Sequence, residues 1–391
     1  MPLQPTRTVL THALLAVSML TAGACERGTE PSPGPGDSPS LAVTAVAVSW
    51  RQIAAGYQHT CAVTTANVAY CWGAGLLGDG TRTSSLRPVK VLGGLKFMEI
   101  RAGEGHTCGV TTDSLAYCWG SGQSGQLGNG TAVSQLTPKL VAGGRKWRQV
   151  SPGAHYTCGV TTASVAYCWG NNDFGQVGVA GVTASTVPVR IAGDLKWRRV
   201  MTAYSHTCGT TTGNRGYCWG FTWSKTPRAV PGTVAFRQVL PGSGHISYNG
   251  SGPFVDDIYA CGVSTTDRLY CRFAAENAPT TPIAPTRAWL YVNPGGFHTC
   301  ALTYAGGAFC WGSNQQGGLG TGGAPAGTST PTQVAGGRTY RGLSASVTGF
   351  YTCGVTTGNR AFCWGDNESG QLGDGTSRND RFTPVEVLNP M

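Results

Sequence analysis

The chain has 391 residues, of which 59 are glycine, 15 are cysteine and only 12% are charged. Its formal net charge is +10, but the lysines and arginines are scattered, which argues against nucleic-acid binding because affinity for phosphate needs clustered cations. All the cysteines except Cys25 fall into pairs of equal spacing, which indicates folding in an oxidising compartment.

The N-terminal segment is predicted to export the protein rather than to fold. Residues 1–24 have a weakly basic start at Arg7 and then an apolar, small-residue run, which is typical of a secretory signal peptide. The run ends in AGAC (22–25), which resembles a bacterial lipobox, although Ala22 stands where a bulky apolar residue is usual. We therefore expect lipidation of Cys25; the alternative is ordinary secretion that leaves a free cysteine.

Residues 25–40 are predicted to form a lipid-anchored tether. This stretch is rich in Pro, Gly, Ser and Glu, so it cannot build a hydrophobic core. A lipid on Cys25 would hold the protein at a membrane, in the bacterial cell envelope or at the cell surface, without making it span the bilayer. Residues 41–391 are left as the folded domain.

From about residue 50 the chain repeats a unit centred on a cysteine pair. The first copy reads HTCAVTTANVAYCWG (59–73), and the C-x9-C spacing recurs in seven copies. First cysteines follow one another at intervals of 39 to 53 residues, which suits a blade of about four short strands. The pattern predicts an all-β fold, a seven-bladed β-propeller.

Each cysteine pair is predicted to lie in a β-hairpin. Pairing Cys61 with Cys71 places Val63 opposite Ala69, and the two cysteines then face each other across antiparallel strands, close enough for a disulfide. The predicted bridges are Cys61–Cys71, Cys108–Cys118, Cys158–Cys168, Cys208–Cys218, Cys261–Cys271, Cys300–Cys310 and Cys353–Cys363.

Metal binding is the rival interpretation of these cysteines, because His59 could share a sheet face with Cys61 and Cys71. Tyrosine takes the histidine position in three repeats and no fourth ligand recurs, so the pattern favours disulfides without a metal or other cofactor. We expect the remaining histidines of this position to hydrogen-bond within their blades: His59, His106, His206 and His298.

Three further elements accompany most of the hairpins. An aromatic residue opens one strand in every repeat, at Trp50, Phe97, Trp147, Trp197, Phe236, Trp289 and Tyr340. A glycine-rich turn follows the hairpin, most clearly GQLGNGT (125–131), and a proline then leads a β stretch such as PVKVL (88–92), as suits the outer edge of a sheet.

These features resemble the regulator-of-chromosome-condensation repeat family. The resemblance rests on the G-Q-L-G turn, the P-x-x-V strand and the H-T-C-A-L-T…Y-C-W-G hairpin, and it covers about residues 50–391. It implies a circular seven-bladed propeller in which the tryptophan of each C-W-G element packs between blades. The cysteine pairs resemble extracellular bacterial variants of the repeat, some of which bind and inhibit β-lactamases.

The fourth and fifth repeats depart from this pattern. The G-Q-L-G turn is missing after Trp219, the fifth hairpin ends in Arg272-Phe273, and an insertion spans about 243–258. Because irregular loops on a rigid scaffold often carry function, we expect a partner to bind here. The candidate residues are Phe221, Trp223, Tyr248, Phe254, Asp256 and Asp257. The alternative is that the aromatic residues simply fill the gap that the missing turn leaves.

Basic residues flank the opening aromatics and should form a ring that could attract anionic glycans or lipid headgroups: Arg51, Lys96, Lys146, Arg148, Lys196, Arg198, Arg237 and Arg341. The alternative is that they only keep strand ends soluble. Two G-x-G-x-x-G matches, 73–78 and 120–125, precede a turn and a strand rather than the helix that a dinucleotide site requires.

We therefore predict a non-enzymatic, extracytoplasmic binding scaffold whose partner is a protein or a surface glycan. The sequence has no P-loop, nucleophile elbow or HExxH motif. Two alternatives remain. One is a secreted enzyme that acts on polysaccharide in the central channel, and the other is guanine-nucleotide exchange, which is implied only by the family resemblance.

Overall fold

The computed structural model describes residues 48–221, 223–242, 259–273, 281–323 and 326–390. The chain divides into two units, Met1–Ala45 and Val46–Met391, and the described residues all belong to the second. They contain 27 β-strands, and none of them lies in a helix long and apolar enough to span a membrane.

The strands form seven sheets that follow the chain order and make up a seven-bladed β-propeller. Blades 1 to 3 are β1 (Trp50–Ala55), β2 (His59–Thr64), β3 (Ala69–Gly73), β4 (Ser85–Lys90); β5 (Phe97–Ala102), β6 (His106–Thr111), β7 (Ala116–Gly120), β8 (Gln135–Leu140); and β9 (Trp147–Pro152), β10 (Tyr156–Thr161), β11 (Ala166–Asn171), β12 (Ala184–Arg190).

Blades 4 to 7 continue the same order. They are β13 (Trp197–Thr202), β14 (His206–Thr211), β15 (Gly216–Gly220), β16 (Ser224–Ala229); β17 (Phe236–Gly242), β18 (Tyr259–Ser264), β19 (Leu269–Phe273); β20 (Trp289–Pro294), β21 (His298–Thr303), β22 (Ala308–Gly312), β23 (Thr328–Gln333); and β24 (Tyr340–Ala345), β25 (Tyr351–Thr356), β26 (Ala361–Gly365), β27 (Arg381–Glu386).

Blade 5 has three strands within the described residues, and an isolated bridge between Leu269 and Ile283 lies beside its third strand. In every blade the strands pair in antiparallel fashion with their neighbours. The first strand of each blade lines the central channel. Each predicted aromatic opens such a strand and is buried, for example Trp147 at 1% exposure.

The predicted hairpin register is confirmed. Cys61 pairs with Cys71 and Val63 with Ala69, and the same alignment recurs in the other blades. All seven predicted cysteine pairs form disulfides, with Cα–Cα distances of 4.0 to 4.1 Å. Each bridge therefore joins the second and third strands of one blade.

The proline-led strands begin earlier than the sequence predicts. Pro88 lies inside β4, after Ser85, where the pairing with β3 shifts register between Cys71 and Gly73. A proline is tolerated here because β4 is the outer strand and the irregular ladder does not need its missing N–H.

The tryptophans of the C-W-G elements lie between blades, as the resemblance implies. Trp169 is fully buried and donates from Nε1 to the carbonyl oxygen of Gln126 in the preceding blade at 2.9 Å. Gly128 in the same turn has φ +67°, and a Cβ added there would lie 2.5 Å from the Trp169 Nε1. The G-Q-L-G turn of one blade is thus the seat for the tryptophan of the next.

Candidate functional site

The strands of each blade alternate in direction, so two different sets of loops lie at the two ends of the propeller. The loops after the first and third strands of each blade lie at one end, which we call the insertion face because residues 243–258 connect β17 to β18 there. The starts of the first strands and the turns after the second strands lie at the other end, which we call the arginine face.

Exposed aromatic side chains gather on the insertion face next to the irregular blades. Phe174 and Phe221 pack edge to face with ring centroids 5.1 Å apart, and they keep 45% and 36% of their surface exposed. Tyr204, in the loop after β13, is 48% exposed. A hydrophobic pair that remains solvent-exposed is a feature of protein interfaces.

The structure contradicts the prediction for Trp223. Its side chain is only 5% exposed and packs in a buried cluster with Cys218, Phe236 and Val239. Trp223 therefore fills the space left by the missing turn and cannot be an interface anchor. The other predicted partner-binding residues, Tyr248, Phe254, Asp256 and Asp257, lie outside the described residues.

The two irregularities of blades 4 and 5 belong to one packing change. In regular pairs of blades the turn of one blade seats the tryptophan of the next, as Gly178 seats Trp219. Blade 4 lacks this turn, and blade 5 correspondingly has Arg272 in place of the tryptophan. The sequence departure that suggested a binding site is thus in part a compensated structural change.

Of the basic residues that were expected to form a ring, arginines follow the opening aromatic in five of the seven blades, and four of these arginines join two blades. Arg51 Nη2 donates to the carbonyl oxygen of Phe97 in the next blade at 2.6 Å. In the same way Arg148 donates to the carbonyl oxygen of Trp197, Arg237 to that of Trp289, and Arg341 to that of Trp50. Burial lowers the pKa of Arg51, and the neighbouring Arg341 lowers it further.

Three of the four histidines beside the disulfides hydrogen-bond between blades, which corrects the expectation of bonds within one blade. His59 Nε2 lies 2.9 Å from Thr107 Oγ1, and His106 and His298 make the same contact with Thr157 and Thr352. The prediction missed these partners because Thr107, Thr157 and Thr352 each point toward the histidine of the preceding blade rather than along their own blade.

Burial lowers the pKa of all four histidines. The pKa falls to about 4 for His59, His206 and His298 and to about 3 for His106, where the positive charges of His59 and His155 add to the effect of burial. These rings are therefore neutral at physiological pH, and those of His59, His106 and His298 serve as buried hydrogen-bonding groups. In blade 5 the threonine partner is replaced by Ala260 beside His206.

The cysteines are not available as metal ligands, because all fourteen in the propeller are oxidised in disulfides. Among the described residues no three His, Cys, Asp or Glu side chains gather in a metal-binding cluster. The G-x-G-x-x-G segments at 73–78 and 120–125 begin in β3 and β7 and lead to the outer strands β4 and β8, so they are propeller turns.

The central channel contains charged residues that the sequence analysis did not single out. Arg101 and Arg199 line a cavity of about 660 Å³, and Glu99 pairs with Arg101 at 2.6 Å. Burial raises the pKa of Tyr291, which also lines the channel. The sequence alone could have identified two of these residues. The position two residues after the opening aromatic is Gln in three repeats and is charged in only two, at Glu99 and Arg199.

The comparisons agree with the geometry. Two models described as regulator of chromosome condensation (RCC1) repeat match this chain, one at residues 113–160, 165–209 and 359–391, and the other at 50–78, 99–126, 295–317 and 344–371. Together these matches cover more than half of the chain. A search of curated proteins gave no significant match.

Solved structures share the fold at low identity. Yeast RCC1 (Prp20), in its complex with Kap60, is 14% identical with a TM-score of 0.68, over 94% of this chain and 91% of that one. The CRINKLY WD40 ectodomain of the Arabidopsis thaliana receptor kinase ACR4 is 20% identical with a TM-score of 0.53, over 81% and 98%.

A second structure, of Prp20p from Saccharomyces cerevisiae, was solved in a study of its binding to Gsp1p and histones; it is 17% identical with a TM-score of 0.50, over 87% of this chain and 77% of that one. At such identities the likeness concerns the fold alone. The repeat matches agree with the seven successive blades and with the turns that seat the tryptophans of the regular blades, and the chain belongs to the regulator of chromosome condensation (RCC1) repeat family.

Proposed function

We propose that this protein is a non-enzymatic, extracytoplasmic binding scaffold that receives a protein partner on its insertion face. The observation that carries the proposal is the exposed pair of Phe174 and Phe221, with Tyr204 on the same face. Aromatic side chains supply much of the binding energy in protein interfaces, and the disulfide-linked blades give them a rigid support.

The family relationship supports a protein as the partner. The solved relatives include yeast RCC1 bound to Kap60 and Prp20p with its binding to Gsp1p and histones, so propellers of this shape bind other proteins. A surface glycan is the second candidate, because an exposed aromatic ring can also pack against the apolar face of a sugar. Guanine-nucleotide exchange has no support beyond the family relationship.

The channel favours binding over hydrolysis. Glycoside hydrolysis commonly uses two carboxyl groups on either side of the scissile bond. Among the described residues that line the channel none is Asp or Glu, and the nearby Glu99 is already paired with Arg101.

The location we propose is outside the cytoplasm, at a membrane through a lipid on Cys25. Seven disulfides support an oxidising compartment. A tether at 25–40 would let the propeller present either face to a partner.

Affinity capture from the cell envelope with the propeller as bait tests this function. A reproducible protein partner that is lost when the insertion face is altered would support the proposal. Capture that is indifferent to this face would refute it.

A further inference from the structure

The channel wall is a belt of side chains that join one blade to the next. Gln52 Nε2 donates to the carbonyl oxygen of Ile100 at 2.8 Å, and the Ile100 N–H donates back to Gln52 Oε1 at 3.2 Å. Gln149 Nε2 likewise donates to the carbonyl oxygen of Val200 at 2.7 Å, and the Tyr291 hydroxyl donates to the Leu343 carbonyl oxygen. The side chain at this position of the first strand therefore normally holds two neighbouring blades together.

Glu99 and Arg199 occupy the same position in their strands, but among the described residues neither bonds to the backbone of the next blade. Glu99 bonds to Arg101 of its own strand at 2.6 Å. The Arg199 guanidinium makes one hydrogen bond, from Nη1 to Gln238 Oε1, at the long distance of 3.4 Å. No carboxylate of the described residues lies within ion-pair distance of Arg199.

Charged side chains from two blades, Glu99 and Arg101 of blade 2 and Arg199 of blade 4, meet in this channel. Burial lowers the pKa of Arg199 and Arg101 lowers it further, while Glu99 and Tyr291 act in the opposite direction. The two guanidinium groups carry two positive charges against the single negative charge of Glu99. A partly buried surplus cation is unfavourable unless it is paired, so this wall favours an anion in the channel.

We propose that the central channel binds a small oxyanion, a carboxylate or phosphate group of a molecule taken from solution, at the guanidinium of Arg199 with Arg101 beside it. A guanidinium has five N–H donors in a planar fork that matches two oxygens of such a group. The cavity of about 660 Å³ is large enough for a small organic acid or phosphate ester.

The arginine face offers the route of entry. Arg51, Arg198, Arg237 and Arg341 line the cavity on this side, and the carbonyl oxygens that fix most of them leave their positive charge intact. A cleft lined by one sign of charge raises the local concentration of ions of the opposite sign. The site is independent of the protein partner that we propose for the opposite face.

Isothermal titration calorimetry tests the site with inorganic phosphate and with citrate, at an ionic strength held constant with sodium chloride. The variant Arg199→Gln introduces the residue that three other blades have at this position, so its fold should be retained. We expect it to weaken binding by about tenfold or more, the loss of one charge-assisted contact. Glu99→Gln releases Arg101 and should tighten binding.

Arg190→Gln is the matched control, since Arg190 lies on the outer strand β12 and pairs with Asp194 at 2.7 Å. It should bind as the wild type does. Binding of phosphate alone would indicate a phosphoryl ligand, and binding of citrate alone a carboxylate. No saturable binding of either anion to the wild type, or equal affinity in the wild type and Arg199→Gln, would overturn the proposal.

Discussion

The Tyr351 hydroxyl donates a hydrogen bond of 2.6 Å to the carbonyl oxygen of His59, across the seam where the last blade meets the first. Tyr156 makes the same bond to His206, at the same distance, between blades 3 and 4. Trp72 of the first blade also donates to the carbonyl oxygen of Gln371 at 2.9 Å. The ring is therefore closed by the contacts that join its other blades, and β27 completes the last blade.

Replacing Tyr351 with Phe tests this closure. The variant removes the buried hydroxyl that donates to the His59 carbonyl oxygen and accepts from Thr60 Oγ1, and it should reduce the free energy of unfolding by about 1 to 2 kcal/mol. Tyr156→Phe is the matched control inside the ring and should cost about as much, as measured by denaturant unfolding. If only Tyr156→Phe is destabilising, the seam is not closed in the way described.

Each disulfide should contribute measurably to stability. Converting Cys158 and Cys168 together to Ala should reduce the free energy of unfolding by up to about 3 kcal/mol, because the bridge closes a loop of about eleven residues in the unfolded chain. Denaturant unfolding measures the loss. Peptide mapping without reductant should recover seven bridges within single blades, and a bridge between blades would contradict the structure.

Acid should destabilise the propeller through its buried histidines. The unfolded chain takes up protons near pH 6.5, whereas His59, His206 and His298 resist protonation until about pH 4. The contribution of these histidines to the free energy of unfolding is therefore fully present above about pH 6.5. It is lost as the pH falls toward 4, by about 1.4 kcal/mol per pH unit for each histidine.

The variant His59→Tyr separates this effect from the titration of carboxyl groups. Tyrosine occupies the equivalent position in three blades, so the fold should tolerate it. Thermal unfolding between pH 7 and about pH 4.5 should show a shallower decline for the variant than for the wild type. Parallel declines would mean that His59 is not the buried neutral ring seen here.

The lipid anchor is tested by fractionation. Cys25→Ala should release the protein from the membrane fraction, because a thioether-linked lipid would have no attachment site. The variant Cys25→Ser also lacks the thiol and should leave the membrane fraction in the same way. Unchanged membrane association in both variants would eliminate this anchor.

The repeats made much of the fold predictable. Equal cysteine spacing and the alternation around Cys61 determine the hairpin register, and the aromatic at Trp50 marks the start of a strand. The contacts of His59 were not predictable in the same way, because they depend on how neighbouring blades pack. Sequence periodicity specifies the blade, whereas the partner across the seam follows from the three-dimensional arrangement.

The site was less predictable for a related reason. Trp223 looked like an interface residue, but its exposure depends on whether blade 4 keeps the turn that seats a tryptophan. Arg199 looked unremarkable, since only the closed ring brings it near Arg101 and Glu99. Burial and distance between blades decide both cases.

The most direct test of the binding account compares partner capture by two propeller variants. The double variant Phe174→Ala/Phe221→Ala removes the exposed pair of the insertion face. The control Tyr304→Ala removes an aromatic that is 54% exposed in the turn between β21 and β22, on the arginine face. Thermal unfolding should first show that both variants are folded.

With envelope extract, we predict that the wild type and Tyr304→Ala capture the same protein partner. The double variant should lose that partner, or bind it at least about tenfold more weakly, because aromatic anchors commonly contribute more than 1 kcal/mol each. Equal capture by the folded double variant would contradict the assignment of the insertion face as the binding surface.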